Sequence, residues 1–169
     1  GIGTENGLNY YSYNEHRIKN EQVVADGKPL KFVRSVCEVN DTTLWISTTG
    51  EGLVKIRLSG AEDNPIVTSA RRFMVEDGSP EKNNFTVAYR EDDNTVWFGS
   101  QNDGAWKVDS RQEKIGNIRP GKAGNSPHNS VYSIYKNLAG YWFGTADGLV
   151  NLNNNSQLVF NESNGLLCK

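Results

Sequence analysis

Amides and carboxylates crowd the short turns of this 169-residue chain. They are the groups with which a protein addresses sugar hydroxyls, because together they offer paired donors and acceptors. One kind of turn holds Asp77, Ser79, Asn83 and Asn84, and further along His128, Asn129 and Ser130; a second kind holds Glu51, Gln101, Asn102, Asp103 and Asp147. These are the ligand-binding candidates. No acid/base pair recurs at corresponding positions, so no catalytic residue is expected and the segment reads as no enzyme. His16 and His128 belong to no His/Cys/Asp/Glu cluster with metal-ligand spacing, so neither a metal nor a cofactor is expected. His16 reads as a solvated turn residue, and Glu62-Asp63 and Glu91-Asp92-Asp93 as solvated turn formers; calcium would need several converging oxygens. Cys37 and Cys168 read as free thiols, one of them buried.

The turns recur because the segments between them recur. "LWISTTGEGLVKI", "VWFGSQNDGAWKV" and "YWFGTADGLVNL" put Trp45, Trp97 and Trp142 in one place, and "GIGTENGLNY" is a shortened copy in which Ile2 matches Ile46. A period of roughly 40–50 residues marks a propeller or a solenoid. An extended run precedes each Trp: "FVRSVCEV", "FTVAYRED" and "VYSIYKN". Aligned without gaps on the Trp, Cys37, Tyr89 and Ile134 coincide, as do Asn84 and Asn129. Each unit is four short runs rich in β-branched and aromatic residues and bounded by Gly, Asn, Asp or Pro. No window holds the 3.6 period that helical repeats require.

Four antiparallel strands per unit, lettered a to d from inside outwards, make a propeller blade. The expected fold is therefore all-β, a β-propeller fragment of about three complete four-stranded blades plus a partial blade. The expected divisions of the single segment 1–169 are a partial blade at 1–30, blades at 31–75, 84–119 and 129–160, and the start of the next repeat at 161–169. The repeat has a physical reason. The Trp fills the space between neighbouring blades, and the Ile or Phe after it turns to the other face and packs on the next blade. Gly52, Gly104 and Gly148 let the b–c turn adopt positive φ, while Gly99 and Gly144 leave room for packing. In this topology the d–a and b–c loops share the top face, where binding residues concentrate. The extra "SGAEDNP" (Ser59 to Pro65) falls on the opposite rim. No exposed aromatic for sugar stacking is identified; Tyr132 and Tyr135 suit the core equally well.

These linked positions resemble the two-component regulator propeller repeat, a strand followed by Leu-Trp-Ile-Gly-Thr and then Gly-Leu. Ser47 stands for its Gly and Ala105 for its Leu. The resemblance implies a non-catalytic, periplasmic sensor module of a hybrid two-component regulator from Bacteroides-type bacteria, one that senses an oligosaccharide and controls polysaccharide utilisation. The partners it implies are an oligosaccharide, the remaining blades of the same polypeptide and a second copy in a homodimer. The alternative is a protein–protein interaction or dimerisation scaffold without a small-molecule ligand; a propeller lyase or glycosidase is the weakest reading. A net charge of −2 offers no basic excess for a phosphate backbone, so nucleic acid is not an expected partner. No apolar run approaches the ~20 residues of a membrane span, so this segment is expected to make no membrane contact.

Overall fold

The computed structural model describes residues 2–61, 64–75, 78–121, 127–154 and 156–166. The chain is all-β. The first sheet has three strands, β1 (Ile2–Thr4), β2 (Gly7–Ser12) and β3 (Arg17–Glu21), followed by a small ribbon of β4 (Val24–Ala25) and β5 (Lys28–Pro29). Three four-stranded sheets succeed it. The second sheet is β6 (Val33–Asn40), β7 (Thr43–Thr48), β8 (Leu53–Ala61) and β9 (Asn64–Phe73). The third is β10 (Phe85–Arg90), β11 (Thr95–Ser100), β12 (Ala105–Asp109) and β13 (Lys114–Ile118). The fourth is β14 (Val131–Asn137), β15 (Gly140–Thr145), β16 (Gly148–Asn153) and β17 (Ser156–Phe160). Every sheet is an antiparallel meander in chain order, and β10 lies alongside both β6 and β14. That arrangement is compatible with a propeller segment whose innermost strands are β6, β10 and β14.

The register explains which residues recur. Trp45 lies opposite Cys37 and Lys55, Trp97 opposite Tyr89 and Lys107, and Trp142 opposite Tyr135 and Asn151. The gapless alignment is therefore corrected: the counterpart of Cys37 and Tyr89 is Tyr135, not Ile134. The turn between β14 and β15 is one residue shorter than its equivalents, since Lys136 pairs Tyr141 where Arg90 pairs Val96. The same shift makes Asn83, not Asn84, the counterpart of Asn129. Val33, Phe85 and Val131 open the three inner strands, and each strand bulges at its next residue, Arg34, Thr86 and Tyr132.

Packing follows the period-2 alternation of a strand. Trp45 is fully buried and meets Phe98 of the third sheet at a centroid distance of 6.2 Å. Trp97 meets Tyr141 and Phe143 of the fourth at 4.7 and 6.1 Å. Each Trp thus faces the following sheet. The residue after it faces the preceding one: Ile46 clusters with Leu8, Val23 and Leu30, Phe98 with Trp45, and Phe143 with Trp97. The expected direction of this Ile or Phe is reversed, because the Trp already occupies the side of the following sheet. Trp142 has no such cover among the described residues. It stacks on Phe160 of its own sheet at 6.0 Å, and Tyr135 and Leu158 beside it are exposed. Tyr132 is exposed as well, so neither tyrosine belongs to the core.

Gly99 does leave room: a Cβ there would collide with the Val131 carbonyl of the neighbouring sheet at 2.6 Å. The "SGAEDNP" stretch is a continuation of β8 and β9, paired from Ser59–Ile66 to Ala61–Asn64; Glu62 and Asp63 lie outside the described residues. Cys37 is buried, and burial pushes its thiol up to about 11, far from a reactive thiolate. Cys168 lies outside the described residues.

Candidate functional site

The turns that join the second and third strands of each four-stranded sheet, and the β1–β2 turn of the first sheet, are built by one device. The hydroxyls of Thr4, Thr48, Ser100 and Thr145 donate to the carbonyls of Gly7, Gly52, Gly104 and Gly148 at 3.1, 2.7, 2.9 and 2.9 Å. The last three also accept from the backbone N–H of Glu51, Asp103 and Asp147 at 3.1, 2.9 and 3.3 Å. Gly52, Gly104 and Gly148 sit at φ 81°, 78° and 103°. A Cβ at any of them would land on the carbonyl of Phe73, Ile118 or Phe160. Glycine is therefore required twice over, by backbone conformation and by space. The signal for this hydroxyl in the sequence is a Ser or Thr three or four positions before each of these glycines.

The loops leading into β10 and β14 dock onto these turns. Asn83 is fully buried. Its Oδ1 accepts from Val75 N at 2.7 Å, and its Nδ2 donates to the carbonyls of Val75 and Ser79 at 3.2 and 2.9 Å. Its own carbonyl receives the N–H groups of Gly50 and Gly52. Asn129, also fully buried, accepts from Gly121 N through Oδ1 at 2.9 Å, and its carbonyl receives Gly104 N at 2.7 Å. These two candidates are brought under the rim, where they shape it. Ser79 belongs to the loop closed by Asn83, and Asp77 lies outside the described residues.

The remaining candidates form the rim. Asn84 donates to Gln101 Oε1, and Ser130 Oγ donates to the Gln101 carbonyl, so these three residues are one cluster bridging two repeats. Gln101 and Asn102 are exposed. His128 Nε2 lies 3.4 Å from Asp147 Oδ2, and its Nδ1 lies 3.4 Å from Thr145 Oγ1. Asp103 departs from the rest: it is buried, and Arg119 grips its Oδ1 at 2.7 Å through both Nε and a terminal nitrogen. Glu51 is held by Arg72 at 3.0 Å. The rim thus offers amides, a hydroxyl, an imidazole and the half-exposed Asp147. That set can pair with ligand hydroxyls. The hydroxyl nearest the imidazole, Thr145 Oγ1, donates its proton to the Gly148 carbonyl at 2.9 Å rather than to His128. Among the described residues there is no cluster of His, Cys, Asp and Glu fit to hold a metal ion, and no helix long and apolar enough to cross a membrane.

One acid expected to be a solvated turn former is something else. Glu91, in the turn between β10 and β11, has a side chain only 10% exposed. Its Oε2 accepts from Trp97 Nε1 and from Tyr141 Oη, both at 2.7 Å; its Oε1 accepts from Lys136, and Lys107 lies 3.6 Å from Oε2. Burial alone would raise its pKa, but the donors from Lys136, Trp97 and Tyr141 and the charge of Lys107 outweigh burial and hold it at about 2. Glu91 thereby ties the third sheet to the fourth at the end opposite the rim. Its neighbours behave as expected: Asp92 Oδ1 accepts from Asn94 N and Thr95 N, and Asp93 pairs with Arg90 at the surface.

No family model matches the chain. No curated protein matches it either. Solved structures do. Over 95% of its length the chain superimposes, at a TM-score of 0.72 and 18% identity, on a structure described as the "extracellular domain of the putative hybrid two component system BT4673 from B. thetaiotaomicron". A second structure of BT4673, described as part of a one component system, gives 0.71 at 19% identity over 99% of the chain. The extracellular domain of BT3049, of the same organism and the same hybrid description as the first, gives 0.63 at 18% identity over 93%. At these identities the likeness is one of fold. The chain spans only about a fifth of each of these proteins, 22%, 23% and 20% in the same order.

Proposed function

We propose that the chain is a β-propeller segment of a non-catalytic sensor module that works outside the cytoplasm, in the periplasm, as part of a hybrid two-component regulator. The observation that carries this reading is the likeness of fold, along almost the whole chain, to extracellular domains of two-component systems. The rim supplies the ligand chemistry. Gln101, Asn102, Asn84, Ser130, Asp147 and His128 stand on turns made rigid by the hydroxyl and asparagine bonds beneath them. A rigid frame carrying adaptable amides suits an oligosaccharide, whose hydroxyls each want a donor and an acceptor. Occupancy of the rim would be passed through the packed sheets to the remainder of the polypeptide and would control polysaccharide utilisation.

A second reading has its own observation. Trp142, Tyr135 and Leu158 form a sheet face of the kind that the following sheet covers at Trp45 and Trp97. The remaining blades of the same polypeptide, or a second copy in a homodimer, are the proposed cover, and a module serving only as such a scaffold would bind no sugar. Isothermal titration of the intact parent polypeptide with a panel of plant and host oligosaccharides separates the two. Saturable binding of one glycan class is expected. No binding across the panel would leave the scaffold reading in its place.

A further inference from the structure

The charges of the rim are not spent evenly. Glu51 and Asp103 are each engaged by a guanidinium, and Asp147 lies against His128. Where the chain enters β6 the balance reverses. Lys31 and Arg34 are both exposed, and their side chains make no ion pair or hydrogen bond among the described residues. Between them Phe32 is 45% exposed, with a left-handed backbone at φ 51°. That conformation is held from both sides: Phe32 N donates to the Glu5 carbonyl and its own carbonyl accepts from Thr49 N, each at 3.0 Å.

A left-handed backbone is unfavourable for a bulky aromatic side chain. The corresponding positions of the next two repeats are Asn84 and Ser130, whose carbonyls accept from Gln101 N and Ala146 N in the same way, and neither is left-handed. The fold therefore does not demand a phenyl ring here, nor does burial reward one. A strained residue that keeps an exposed ring in place is a pattern found at ligand sites. Two features fix the segment. Val33 is buried and opens β6, and the bulge at Arg34 re-aims that side chain relative to a regular strand.

We propose that Lys31, Phe32 and Arg34 form an anionic-sugar subsite of the rim. Phe32 stacks on the apolar face of a pyranose ring, and Arg34 and Lys31 take the carboxylate or sulfate of a uronic or sulfated residue. The proposal rests on the reading of the rim as an oligosaccharide site and specifies its ligand.

The test uses the intact parent polypeptide and four tetrasaccharide probes: a polygalacturonate, a sulfated glycosaminoglycan, and neutral xylan and chitin fragments. Each is titrated against wild type and against Phe32→Asn and Arg34→Gln. Asparagine tolerates the left-handed region, so Phe32→Asn removes the ring without stressing the loop, and its melting temperature is expected to stay level or rise. An acidic probe is expected to bind, with neutral probes and both variants weaker by about tenfold or more, the scale of one lost charge-assisted contact. The carboxylated and sulfated probes tell which anion is preferred. Equal affinity for acidic and neutral probes, or acidic binding untouched by both variants, overturns the subsite. If a neutral glycan binds and is lost on Gln101→Ala and Asn102→Ala instead, the rim reading stands and only the subsite falls. If no probe binds, both fall.

Discussion

Asn83 and Asn129 occupy the same point of successive repeats, and each spends its side chain on its own loop while its carbonyl reaches the turn of the preceding sheet. They connect sheet to sheet as well as loop to strand. Asn83→Ala strands the buried N–H of Val75, whose carbonyl keeps the Gly78 N–H, and the expected loss is about 2 kcal/mol in a urea titration of the intact protein. Asn84→Ala, which removes a rim contact only, is expected to cost less than about 1 kcal/mol.

The turn glycines separate two penalties. Gly104→Ala meets both a positive φ and the Ile118 carbonyl, whereas Gly27→Ala, at φ 76°, meets nothing within 4 Å. Gly27→Ala is expected to cost about 1 kcal/mol, the backbone penalty alone. Gly104→Ala is expected to cost clearly more, because backbone atoms have to move. Thermal unfolding of the two variants side by side measures the difference.

Trp45 and Trp142 hold the same position in sheets that differ in cover. Truncation of the fully buried Trp45 to Ala is expected to cost about 3–5 kcal/mol. Trp142→Ala in the segment as it stands is expected to cost markedly less, since its ring is only half buried against Phe160. If chemical denaturation gave equal losses, the Trp142 face would be covered in solution.

Much of this was legible in the sequence, for reasons specific to the residues. Trp45, Trp97 and Trp142, with Gly52, Gly104 and Gly148, meet the same demands in every repeat, so their spacing located the strands and turns. The gapless comparison pairs Asn129 with Asn84 rather than Asn83, because a turn one residue shorter before Trp142 moves everything upstream by one and such a comparison cannot see it. Glu91 read as a surface acid because its donors Trp97, Tyr141 and Lys136 come together only when two sheets pack. Phe32 was invisible as a rim residue because nothing in its neighbours announces a left-handed backbone.

The Glu91 cluster gives stability a pH dependence. The carboxyl sits at about 2 when folded against an ordinary 4.5, so the folded state favours its charged form. Its contribution is complete above about pH 4.5 and is lost as pH falls from there through about 2. Glu91→Gln is expected to destabilise the protein by about 2 kcal/mol at neutral pH, and to flatten the acid limb of the stability curve between those values. Denaturant midpoints measured from pH 7 down to pH 2 for both proteins check the sign.

The central claim is that the amide-rich rim binds an oligosaccharide. Its most direct test is titration of the intact parent polypeptide, wild type against a variant carrying Gln101→Ala, Asn102→Ala and Asp147→Ala, with every glycan the panel finds to bind. These three side chains stand at the surface of the rim, so the variant is expected to melt within a few degrees of wild type. The expected result is one glycan class bound by wild type and held at least about tenfold more weakly by the variant. Equal binding by both proteins would place the ligand away from these turns and contradict the account.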